Sequence, residues 1–140
     1  MPLLEALIAD LESPDAKIRN HAALDLMDRQ AEAAIAPLIR AILKPENEHH
    51  RGTLVYALGA FDCEPCVELL IDLALTGNYE VSLGACSIIY DMTLAPETMQ
   101  RIAAQLLKHD ATALENAHNR EVRQHLHALI SAEARAQPII

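Results

Sequence analysis

The chain has 140 residues, 51% of them apolar, and 11 Lys+Arg against 20 Asp+Glu, a formal charge of −9. That is about one domain with enough apolar side chain for a core, which excludes intrinsic disorder. Aromatics make up only 3%, against abundant Ala and Leu, which excludes a β sandwich and favours helices. The acidic balance argues against nucleic acid and anionic membranes, both of which want a basic patch. No apolar run approaches the roughly 20 residues of a membrane span. Met1-Pro2-Leu3-Leu4-Glu5 lacks the positive start of a signal peptide. Three cysteines are an odd number and too few for a disulfide framework, so a cytoplasmic location is expected.

Leu3-Leu4, Leu7-Ile8 and Leu11 predict a first helix. Asp15 is then the expected N-cap of a second, whose inner stripe is Ile18, Ala22 and Leu26. Ile35 and Leu38-Ile39 with Ile42-Leu43 predict a third, with Pro37 tolerated in its first turns. A fourth is expected from an Asn47 cap, with His50, Leu54 and Leu58 inward. Val67 to Leu75 predicts a fifth, closed by Gly77. Asn78 opens a sixth, with Val81, Ala85 and Ile89 inward. Met99, Ile102 and Leu106-Leu107 predict a seventh, and an Asn119 cap an eighth with Val122, Leu126 and Ile130 inward. Aligned on Arg19, the second helices match at Arg51, Ser82 and Arg123, with spacings of 32, 31 and 41 residues. The expected domain is residues 1–140, in repeats of about 1–30, 31–61, 62–93 and 94–140. A helix pair cannot bury its apolar stripes alone, so the pairs must stack.

Pro14-Asp15-x-x-Ile18-Arg19-x-x-Ala22-Ala23-x-x-Leu26 and Asn47-x-x-His50-Arg51-x-x-Leu54-Val55-x-x-Leu58-Gly59 carry a family resemblance. The chain resembles a small bacterial HEAT-repeat protein. Repeat three departs from the pattern, with Ser82 in place of the Arg, and repeat four has a longer link from about Asp110 to His118. The resemblance implies an all-α superhelix, a solenoid of about four helix pairs, whose second helices line a concave face. It also implies that the Asp or Asn opens the second helix and that the Arg pairs with an acid; Asp15 and Asp25 are the expected acids. It implies no activity.

The wheel puts His21, Leu24 and Asp28 of the first pair opposite the core stripe. Thr53 and Tyr56 follow in the second pair, Ser87 and Asp91 in the third, and Gln124 in the fourth. These eight are the candidate partner-binding residues, because a solenoid's concave surface is where it binds. Tyr56 and Leu24 are the expected anchors. The expected function is a non-enzymatic adaptor or regulator holding another protein, one with a basic patch, since complementary charge speeds encounter. The alternative is an enzyme or enzyme subunit resembling the HEAT-like chromophore lyases, binding a small molecule.

Other motifs weigh less. Cys63-Glu64-Pro65-Cys66 lies where a helix N-terminus could lower a thiol pKa. No βαβ setting or second ligand pair accompanies it, so structural cysteines are favoured over zinc or redox. The seven histidines include His49-His50, of which His50 is read as a half-buried packing residue, and the His118, His125, His127 cluster, read as solvated or edge residues. No metal and no cofactor are expected. No Gly-rich phosphate loop occurs. Ile139 and Ile140 leave an apolar end.

Overall fold

A computed structural model describes residues 3–111, 114 and 116–136, with side chains through residue 134; Ile139 and Ile140 lie outside it. All regular structure among the described residues is helical, with eight α-helices and no strand. The residues divide into two compact units, at Cys63 and Glu64.

The first unit holds α1 (Leu4–Asp10), α2 (Ala16–Asp28), α3 (Ile35–Leu43) and α4 (Gly52–Leu58), with 3-10 turns at Glu32–Ala34 and Pro45–Asn47. α2 packs against α1 and α4, and α3 packs against α4. Leu7, Leu11, Leu26, Leu38, Ile42, Leu54 and Leu58 are fully buried. Each such side chain contributes about 1.5–3 kcal/mol by leaving water. α2 starts where Asp15 accepts from the Lys17 amide at 2.9 Å. It stops where Gln30 turns left-handed at φ 53°. There the Ala31 and Gln30 amides reach the Leu26 and Met27 carbonyls, a Schellman closure with glutamine where glycine is usual. Glu12, just past α1, holds the Lys44 ammonium at 2.5 Å, and this contact keeps its carboxyl below the usual glutamate range.

The second unit has a 3-10 turn at Glu64–Cys66, then α5 (Val67–Thr76), α6 (Tyr79–Asp91), α7 (Pro96–Asp110) and α8 (Ala117–Ala136). α5 is the hub, packing against α6, α7 and α8. Its Val67, Leu70, Ile71, Leu73, Ala74 and Leu75 are all buried. A polar ladder runs beside this core. Glu64, Glu68 and Asp72 recur every four residues and face Arg101, Gln105 and His109, which do the same. Arg101 donates to Glu64 and Glu68, at 2.6 Å each. The Arg101 hydrogen bond holds the Glu68 carboxyl below its ordinary 4.5. A carboxylate with a depressed folded pKa contributes its full stability above the unfolded value. That stability is lost as pH falls through the folded one. The urea midpoint of α5–α8 should therefore be flat above about pH 5 and fall below 4.5. Arg101→Gln should flatten that acid slope; an unchanged slope would refute the assignment. Both groups are part-exposed, so the effect is modest and shrinks in salt.

Three expectations need correction. Asp15 and Asn78 cap α2 and α6, but Asn47 and Asn119 cap nothing. Both are buried, and their amides donate to helix-end carbonyls: Asn47 to Ala41, Asn119 to Ala74 and Gly77. α4 begins instead after Arg51, and Asn116 accepts from the His118 amide at the start of α8. Second, Ile18 and His50 do not join the inner stripe: Ile18 is exposed in the first turn of α2, and His50 is exposed ahead of α4. Third, Arg19 does not pair with Asp15 or Asp25. Asp25 bonds Arg29, whereas buried Arg19 donates to the Ser13 carbonyl at 2.8 Å. Ser82 and Arg123, in the same repeat position, likewise donate to the carbonyls of Ala74 and His109. Ser82 and Arg123 thus serve acceptors in the last turn of the preceding helix, Arg19 serves one in the loop after α1, and Arg123 also lies 3.9 Å from Asp110, an ion pair of the kind the resemblance implies.

Candidate partner-binding face

α2 and α4 pack side by side in the first unit, each with one side buried. α2 buries Arg19, Ala22, Ala23 and Leu26; α4 buries Leu54, Val55, Ala57 and Leu58. The helical period then turns His21, Leu24 and Asp28 outward on α2, and Tyr56 outward on α4, with Thr53 half-buried. Leu24 is 38% and Tyr56 64% exposed. This unit thus brings together five of the eight candidate residues on the outward sides of two packed helices.

In the second unit, Ser87 and Asp91 are exposed on α6 and Gln124 on α8. α8 packs along α5 and α7 and meets α6 at its N-terminal end. Tyr79 and Tyr90 of α6 are also exposed and were absent from the candidate set. Their spacing with Leu83, four and seven residues, was the available signal. Burial, together with the nearby Cys86, pushes the Tyr90 phenol above its usual value.

The strongest chemical look-alike is a Ser–His pair. His118 Nε2 lies 3.1 Å from Ser82 Oγ. Ser82 is fully buried, and its single proton goes to the Ala74 carbonyl at 2.6 Å. The hydroxyl can therefore only accept from His118, which fixes the Nε2–H tautomer. That is the reverse of a nucleophile giving its proton to a base, so the pair is a packing device. The Tyr79 ring completes it, with its centroid 4.8 Å from that of His118.

Cys63 and Cys86 are buried and Cys66 is half-buried. The Cys63 sulfur donates to the Leu58 carbonyl at 3.1 Å, an arrangement that suits a neutral thiol. Burial pushes the Cys86 thiol up. His109 and His127 face Asp72 and Asp110, at 2.7 and 3.0 Å. No group of three or more His, Cys, Asp or Glu side chains able to hold a metal occurs among the described residues. No helix among them is long and apolar enough to cross a membrane.

Helices packed against one another within each unit, carrying the same pattern at a repeating interval and with no strand among the described residues, define a helical repeat protein. The family profile of HEAT repeats matches residues 4–88, and the chain belongs to that family. It is also similar to the deoxyhypusine hydroxylase of Phaeosphaeria nodorum, 31% identical over 120 residues, 84% of this chain and 36% of that protein. The chain therefore spans about a third of the length of that relative. No solved structure matches.

Proposed function

We propose that this HEAT-repeat chain is a non-enzymatic interaction module that holds a partner protein on the outward side of α2 and α4. One observation carries the reading: Leu24 and Tyr56 occupy the same register position on two packed helices, and both are exposed. An exposed aromatic flanked by small and polar residues has the chemistry of an interface anchor. Asp28 beside them and the chain's charge of −9 favour a partner with a basic patch. Three cysteines, an odd number and too few for a disulfide framework, fit a reducing compartment such as the cytoplasm.

The test is capture from native lysate with wild type beside Tyr56→Ala/Asp28→Lys, both checked for helicity by circular dichroism. Recovery of one protein by wild type should fall at least tenfold with the variant, the equivalent of about 1.4 kcal/mol. Equal recovery of every bound protein would refute this face.

The likeness to deoxyhypusine hydroxylase supports a second reading, in which the chain contributes to an enzyme acting on deoxyhypusine. Incubation with deoxyhypusine in air and a supplied two-electron reductant such as ascorbate, followed by mass spectrometry for one added oxygen, decides it. No gain of oxygen removes this reading for the chain acting alone.

A further inference from the structure

We propose that α6 carries a second docking stripe whose occupant is a basic amphipathic helix of a partner protein. The proposal rests on the interaction-module reading but uses the other unit. Tyr79, Leu83 and Tyr90 are 66%, 44% and 49% exposed. At about 100° per residue they fall within about 40° of one another on the helix wheel. The far side of the helix, Val81, Ser82, Ala85 and Ile89, is buried. Cys86, between Leu83 and Tyr90 on the same side, is buried, so the stripe presents Tyr79 and Leu83 at one end and Tyr90 at the other, with a recess between them. At about 1.5 Å per residue the stripe runs roughly 16 Å, the length of three helical turns.

The flank of the stripe names the partner. Glu80, Ser87 and Asp91 are exposed about 40–80° further round the same helix. α6 contains no Lys or Arg to neutralise the two carboxylates. A helix with apolar residues at i, i+3, i+4 and i+7 lays that face against such a stripe. Lys or Arg along one edge of it would then meet Glu80 and Asp91. An acidic helix would bring like charges together beside an apolar contact, which selects against it. Tyr79 is already held by its ring contact with His118, so less freedom is lost when a partner covers it.

The test uses a labelled amphipathic peptide of about five turns, leucine at i, i+3, i+4 and i+7 and lysine elsewhere, and a twin with glutamate for lysine. Fluorescence anisotropy reads binding to the whole chain at low salt. Wild type should bind the lysine peptide at least tenfold tighter than its twin. Leu83→Ser/Tyr90→Ser should weaken it at least tenfold. Glu80→Lys/Asp91→Lys alters only exposed residues and should invert the preference. Lysine-peptide binding that survives both variants, or equal binding of the twin, overturns the proposal. Loss only with Tyr56→Ala/Asp28→Lys would also overturn it, while leaving the first-unit face standing. Binding unaffected by that variant but lost with the α6 variants supports α6 alone.

Discussion

Leu70→Ala should lower the stability of α5–α8 by about 2–5 kcal/mol, the cost of a buried leucine truncated in a site that cannot fully collapse. Leu70 is fully buried on the helix that touches the other three of its unit. The vacated volume therefore sits where no single neighbour can move in without leaving another contact. Leu107→Ala is the control: on α7 that side chain is 69% exposed, so its removal should change stability by no more than about 0.5 kcal/mol. Urea unfolding followed at the amide band measures both. Hydrogen exchange should show the Leu70→Ala loss in the amides of α5–α8. Equal effects of the two substitutions would refute the hub.

Gly77→Ala should cost about 1–3 kcal/mol although it adds one methyl group. An ordinary glycine-to-alanine change at a compatible backbone stabilises by about 0.4–1 kcal/mol, through the unfolded chain. Gly77 has φ −72° and ψ 164°, a conformation that alanine also adopts. The obstacle is space. A Cβ there would stand 2.6 Å from the Leu73 carbonyl oxygen and 2.6 Å from Val81 Cγ1. The carbonyl is backbone and Val81 is fully buried, so neither yields cheaply. The turn between α5 and α6 would open, and the Ser82 and Asn119 bonds to the Ala74 carbonyl would lengthen with it. Adding Val81→Ala removes one of the two clashes, so the double variant should lose less than the sum of the singles. A neutral or stabilising Gly77→Ala would show that the turn has room.

Repeat architecture was legible because helix periodicity and register are local properties that recur. Most apolar positions of α3, α5 and α7 lie where their spacing placed them, while Leu43 and Leu107, at the outer edge of their stripes, face solvent. The misread positions are those where one residue type has two good uses. An asparagine at a helix start can accept from an amide, as Asn78 does, or turn its own amide to a carbonyl, as Asn119 does. An arginine can meet a carboxylate or a backbone carbonyl, and at Arg19 the carbonyl of Ser13 wins. Which partner is near depends on how the chain returns over the preceding helix, and that is a tertiary fact. On the candidate face, the outward direction of Leu24 and Tyr56 followed from the wheel. Tyr79 and Tyr90 fall outside the eight candidate residues, whose α6 members, Ser87 and Asp91, lie on the flank of the stripe they share with Leu83.

All three tyrosines are on outward sides of helices, 64%, 66% and 49% exposed for Tyr56, Tyr79 and Tyr90, and the chain has no tryptophan. Its near-ultraviolet spectrum is therefore a spectrum of the surface. The usual signature of a loosened core, lost aromatic ellipticity with retained helix, is muted in this protein. The same property makes it a dark background on which a partner's tryptophan can be excited alone.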